Sequence, residues 1–433
     1  MATEVSIQDG SATKAAADPT TGAAGDGAGR STRSYIGLYV RRTLAGELGA
    51  LPAVLGFLVL FTLFSLSAPA FLSTRNIANL LTQAAPVAII GMGVVFVLVL
   101  GEIDLSAGAT AGVCAVSMAW LLSHGWSPWI AIPGSIVIGA AIGLLTGFLV
   151  AKVAIPSFIV TLAFFLSWQG VVLLLAKEGG TIAVTNRLIL SIANDNMSPT
   201  FGWLLLAALV AGYAFPAVLR IRARQRADLP SEPYGVVAAK AAGLAVLWGT
   251  GTYFLNRNRS LGGRYALRGV PDAVPLVLFL VMVFSYLMTR TSWGLHLYAV
   301  GGNREAARRA GINVALIRMS GFVTCSSLAA IGGMALASQL NSVSPQTGGN
   351  DTVLLAVAAA VVGGTSLFGG RGRVVDAVVG GLVVALLPNG LGLLGKKGGI
   401  DFSASGPKFI ITGLVLLLAA SVDALSRRRV TSS

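Results

Sequence analysis

The chain has 433 residues, of which 55% are apolar and only 11% charged, with 54 glycines and a mean hydropathy of +0.79. A soluble globular domain carries about 25% charged residues, so most of this chain is built for lipid, and disorder is excluded for all but its ends. A net charge of +14 would point to nucleic acid in a soluble protein. Here the basic residues punctuate apolar runs, and no nucleic-acid partner is expected.

In chain order, residues 1–49 read as a disordered cytoplasmic tail with a basic juxtamembrane segment, Arg30, Arg33, Arg41 and Arg42 preceding the first apolar run. Residues 50–425 form the membrane domain, and 426–433 a basic cytoplasmic tail with Arg427, Arg428 and Arg429. Apolar segments fall at 50–68, 84–101, 105–122, 129–151, 156–176, 201–219, 236–254, 273–289, 318–340, 351–368, 374–394 and 409–422. Backbone in lipid must satisfy its own hydrogen bonds, and these runs are too long for barrel strands. The expected fold is therefore an all-α polytopic membrane protein with about twelve transmembrane helices. Ten remain if 236–254 and 273–289 do not both cross.

With both ends inside, twice as many basic residues lie in inner as in outer segments (20 against 10), which supports an even count. The bias is weakest at the outer loop with Arg257, Arg259, Arg264 and Arg268. Small residues recur in nearly every span, as in Gly139, Gly143 and Gly147, the pattern of closely packed helices.

Two segments interrupt the helical pattern. In Gly101-Glu-Ile-Asp-Leu-Ser-Ala-Gly108, Glu102 and Asp104 are costly in lipid. Two readings stay open: carboxylates deep in the bundle, as a proton or sodium site requires, or a short cytoplasmic turn in which Asp104 or Ser106 caps the next helix. The second interruption, 362–372, contains Thr365 and Ser366 among glycines and resembles the first closely enough to suggest a weak internal repeat.

Between Arg290 and Arg318 lies a cytoplasmic loop, 290–318. Asn303 can cap a short helix there, Ala306 and Ala307 favour it, and Gly311 can end it. Arg304 and Arg308 share one side, and Glu305 and Arg309 repeat that i,i+4 spacing beside them. Such a helix suits a cleft in a cytoplasmic partner; a solvated positive loop is the plainer reading.

Gly390-Leu-Gly-Leu-Leu-Gly-Lys-Lys397 copies phosphate-loop spacing up to the last position, where Lys397 cannot hold magnesium. No nucleotide site is expected on this chain. His124 and His296 stand alone, and Cys114 and Cys325 lie in apolar runs, so no metal site or disulfide is encoded. No serine elbow or zinc-protease sequence occurs, so no catalytic residue is expected.

Glu102-Ile-Asp-Leu-Ser106 with Gly108, Gly301-Gly-Asn303 leading to Asn313, and Gly363-Gly-Thr-Ser366 with Gly369-Gly-Arg-Gly372 resemble the permease subunits of bacterial ATP-driven monosaccharide importers. That branch contains ribose, galactose and xylose permeases, and Glu102 is the detail most similar to the xylose version. The likeness covers roughly 50–425 and marks the segment around 229–272 as an addition.

The resemblance implies a plasma-membrane transport subunit without catalysis or cofactor of its own. Its implied partners are a second permease copy, a cytoplasmic ATPase that holds ATP and magnesium, and an extracytoplasmic sugar-binding protein. It implies that Asn303, Arg304, Glu305, Ala306, Ala307, Arg308, Arg309 and Gly311 dock on the ATPase. A monosaccharide path needs several hydrogen-bonding groups. Gln83, Gln169, Gln339 and Asn341 are candidates for that path, with Trp168 to stack on the sugar, and Glu102, Asp104, Ser106, Thr365 and Ser366 as path or gating residues. An ion-gradient-driven secondary transporter and a membrane scaffold without transport are the other classes that suit such a chain.

Overall fold

The structure is a computed structural model that describes residues 51–177, 180–260 and 266–415, together with 417 and 421. The tails at 1–49 and 426–433, with their predicted basic anchors, lie outside the described residues, as does Arg264.

The described residues are mainly helical. In order come α1 (Leu51–Ser67), α2 (Thr74–Val99), α3 (Ala107–Ser123), α4 (Pro128–Ala151), α5 (Ser157–Ala176), β1 (Ile182–Ala183) and α6 (Arg187–Asn194). There follow α7 (Pro199–Arg226), α8 (Tyr234–Leu255), α9 (Ala273–Arg290), α10 (Ser292–Gly302), α11 (Arg304–Arg309) and α12 (Val314–Leu340). The last elements are β2 (Ser342–Val343), α13 (Asn350–Val362), α14 (Val374–Leu394), β3 (Lys396–Lys397) and β4 (Ile400–Asp401), before a final helix over 405–415. Each predicted apolar run contains a helix, although not every run is helical to its predicted ends.

Among the described residues, seven helices are long and apolar enough to cross a membrane: α2, α4, α5, α7, α9, α12 and α14. Three apolar helices are shorter, covering 53–67, 107–123 and 351–362. Lys240 and several glycines and threonines dilute α8, which is not among the seven.

Burial grades from the centre outward. α2 is the axis of the bundle, buried over 83% of its most apolar stretch, and packs on α12, α14 and α13. α4 presents Gly139, Gly143 and Gly147 to α12, where an added Cβ at each would press on the backbone of Ser326, Phe322 and Met319 respectively. The small-residue spacing read from the sequence is therefore the α4–α12 seam. α7 lies at the opposite extreme, 6% buried over its apolar stretch, and pairs mainly with α8. Of these two helices, α8 and the loop after it occupy the segment around 229–272.

That loop is held by Arg259, which is only 6% exposed. It donates to the carbonyls of Leu255 and Gly269 (2.9 Å for the latter) and to Asn196 Oδ1 at 2.8 Å. One of the basic residues that weakened the charge bias is thus a loop staple rather than a topology signal.

The phosphate-loop look-alike is no loop. Gly390 and Gly392 are inside α14, and Lys396 and Lys397 form a strand that turns at Gly398 and Gly399, both with positive φ (58° and 84°), onto β4. Cys114 and Cys325 are buried free thiols.

Candidate functional site

At one end of the bundle, the two interruptions of the helical pattern meet the last turn of α10. Gly370 N donates to Val99 O at 2.8 Å, Gly301 lies against the same carbonyl, and Gly369 (φ 86°) packs on Gly101 and Gly301. Backbone meets backbone here because the four glycines carry no side chain.

Beside this crossing, Asn303 Oδ1 accepts from Ala306 N at 2.9 Å and starts α11, and Gly311 (φ 82°) follows its end. Ala307 is buried beneath α11, whereas the side chains of Glu305, Arg308 and Arg309 are 59%, 70% and 80% exposed. Of the eight residues predicted to dock on a partner, Glu305, Arg308 and Arg309 therefore form a charged outer face. Arg304 points the other way. Its Nη2 reaches Glu102 Oε1 at 2.7 Å and Leu100 O at 3.1 Å. Arg318, in the first turns of α12, holds the same carboxylate oxygen at 2.6 Å.

The first interruption combines buried carboxylates with a tight local turn. Glu102 and Asp104 are buried, at 5% and 1% exposure. Asp104 Oδ1 accepts from the N–H and hydroxyl of Ser106 at 2.8 and 2.6 Å, a side-chain-closed turn directly before α3. Asp104 also lies beside Cys325, two helical turns further along α12 than Arg318. The chain thus climbs into the bundle between 102 and 106, and α3 begins inside it. Thr365 and Ser366 are buried in the second interruption, next to the same crossing.

Two cavities open towards the opposite end. The first, about 560 Å³, is enclosed by α2, α12, α13, α14 and Lys408 of the final helix. Its polar wall is an amide cluster: Asn76 and Asn389 exchange hydrogen bonds at 3.0 and 3.1 Å, and Asn389 also donates to Gln83 Oε1 at 3.0 Å. Gln339 lines the same space. Nearby, Asp401 accepts from the hydroxyl and N–H of Ser403 at 2.5 and 2.9 Å, which holds its carboxyl below the usual range.

The second cavity, about 520 Å³, lies between Gln169 of α5 and the non-helical run 344–349 before α13. Leu336 lines both cavities. Trp168 packs on Phe164, with ring centroids 5.2 Å apart, in an apolar cluster next to Gln169. Asn341, in the left-handed region at φ 53°, is the C-cap of α12 and accepts from Asn194 at 2.8 Å.

The predicted path residues therefore separate. Gln83 and Gln339 share one cavity and Gln169 lines the other, while Asn341 shapes a helix end. Glu102, Asp104, Ser106, Thr365 and Ser366 lie towards α11. Sequence reasoning missed Asn76 and Asn389, and it counted Arg318 only as a loop charge. The available signal was an amide inside an apolar run, Leu387-Pro388-Asn389-Gly390.

Residues 76–420 match the family described as branched-chain amino acid transport system / permease component. The chain belongs to this permease family. The permease is 36% identical over 83% of its length to the xylose transport system permease protein of Escherichia coli K12, covering 87% of that protein. It is 33% identical to the xylose permease protein of Haemophilus influenzae, over 86% of this chain and 95% of the relative. Against the ribose import permease protein of Bacillus subtilis the identity is 31%, over 87% and 94% of the two chains. No solved structure matches. The permease is thus a multi-pass membrane transport subunit and not an enzyme.

Proposed function

We propose that this permease forms the translocation path of an ATP-driven monosaccharide importer in a bacterial inner membrane, with xylose as the first substrate to test. The observation that carries the reading is the arrangement of α11. A charged helix projects at one end of the bundle, and cavities with amide side chains in their walls open at the other. A transporter driven by a separate motor needs this separation of docking surface from substrate chamber. The likeness to xylose and ribose permease proteins supports the choice of cargo.

In this reading two copies of the permease form the path. α11 faces the cytoplasm, as do both chain ends, and docks on an ATPase that binds ATP and magnesium. An extracytoplasmic sugar-binding protein delivers the substrate to the cavity end. Gln83, Gln339 and the newly found Asn76 and Asn389 offer hydroxyl-binding amides in one cavity, and Gln169 does so in the other. Motor cycling alternates access by moving helices that are packed as rigid bodies.

Reversing charge at Arg308 and Arg309 (Arg308→Glu with Arg309→Glu) tests the docking surface. Both side chains are well exposed, so the fold should tolerate the change to within about 0.5 kcal/mol. Co-purification of the ATPase and sugar-stimulated ATP hydrolysis are expected to fall at least about tenfold, the size of a strong allosteric coupling. Unchanged association removes α11 as the docking element, and unchanged values for both remove it from the mechanism. Sugar uptake by the permease alone under an ion gradient would instead establish a secondary transporter.

A further inference from the structure

We infer that Glu102 is the joint through which movement of α11 reaches the substrate chamber, because one buried carboxylate grips Arg304 of α11 and Arg318 of α12 in the interrupted segment before α3. This rests on α11 being the motor-docking element.

Three observations support the joint. The first is its geometry: a single oxygen, Oε1, takes Arg304 Nη2 at 2.7 Å and Arg318 Nη2 at 2.6 Å, while the Glu102 side chain is 6% exposed. A buried ion pair of this kind adds little net stability compared with apolar packing of the same shape. What it adds is a fixed distance and direction between three chain segments that are far apart in sequence. The second is the glycine crossing beside it, where Gly301 and Gly370 lie against Val99, so α10, α2 and the second interruption have no slack at the same level.

The third is what lies beyond Glu102. Two residues on, Asp104 binds the N–H and hydroxyl of Ser106 and so attaches the segment to the start of α3. The first turns of α3 then press Gly108 and Gly112 onto Gly348 and Thr347, which line the second cavity. An unbroken run of contacts therefore leads from the exposed helix to a cavity wall. Packed elements of this sort shift between discrete arrangements rather than deform smoothly.

Glu102 touches neither cavity, so its role is positioning. The test uses the full chain with its ATPase and sugar-binding protein in proteoliposomes, and compares Glu102→Gln, Arg304→Gln, the double variant and the docking variant Arg308→Glu/Arg309→Glu. Glu102→Gln is expected to keep ATPase association while sugar-stimulated hydrolysis and sugar moved per ATP fall about 5- to 30-fold. The double variant should be no worse than either single, because both cut one link.

Wild-type stimulation in Glu102→Gln, or losses that multiply in the double variant, overturns the joint. Should Glu102→Gln fail to accumulate, Arg304→Gln leaves Glu102 paired with Arg318 and carries the test. Reduced stimulation with association retained supports the proposal; full stimulation, or lost association, overturns it. Unchanged association in the docking variant overturns the docking reading and this proposal together. Lost association there, with unaltered stimulation in Glu102→Gln, overturns the joint alone.

Discussion

Substituting alanine for Gly301 is expected to abolish accumulation of folded permease, whereas the same change at neighbouring Gly302 is tolerated. A Cβ at Gly301 would overlap the carbonyl oxygen of Val99 and crowd Gly370 N, while one at Gly302 meets nothing within 4 Å. The Val99 carbonyl cannot swing aside, since it accepts from Gly370 N at 2.8 Å and α2 is the most enclosed helix of the bundle. Overpacking against fixed backbone costs about 3 kcal/mol or more, a large part of a marginal stability. At Gly302, within the last turn of α10, alanine is neutral or gains up to about 1 kcal/mol from helix propensity. Thermal unfolding and yield in detergent, measured for both variants, check the contrast. Equal behaviour of the two would mean that the glycine crossing is not packed as described.

The second large effect is expected at Asn389. Asn389→Leu keeps approximate volume but removes both hydrogen bonds to Asn76 and the one to Gln83. Asn76 is 7% exposed, so its carbonyl oxygen is left without that donor, at about 1–3 kcal/mol. The variant should therefore unfold earlier and, in the sugar-path reading, show weakened uptake.

Gln339→Leu separates the two consequences. Gln339 lines the same cavity without belonging to the amide cluster. Its replacement should leave unfolding unchanged and raise the apparent KM for sugar about threefold to tenfold, the value of one hydrogen bond. A Gln339→Leu permease with unaltered KM would take the first cavity out of the sugar path. In that case Asn389 keeps only its structural role.

How the site could be read from the chain differs from residue to residue. Asn303 and Gly311 bracket α11 as their spacing predicts, because capping is a local matter settled within a few residues. α2 begins at Thr74 rather than at 84, because Ser73 caps it by accepting from Asn76 N. The polar stretch with Asn76 and Gln83 that apolar counting placed outside the helix is in its first turns. α13 ends at Val362, short of 368, where Gly363 and Gly364 (φ 119°) close it.

By itself the amino-acid order determined the solvent, the helical class, the runs that become helices and the exposed basic projection. Each of these follows from composition, run length or contacts a few residues apart. Only the tertiary structure decided the partners. Glu102 meets residues 202 and 216 positions away, and Asn76 meets Asn389 at a separation of 313. In a bundle, polar groups find one another through the packing angle and depth of helices, set by many small contacts such as the α4–α12 glycine seam. No spacing along the chain encodes that geometry, so the ion pair and the amide cluster become visible only once the helices are in place.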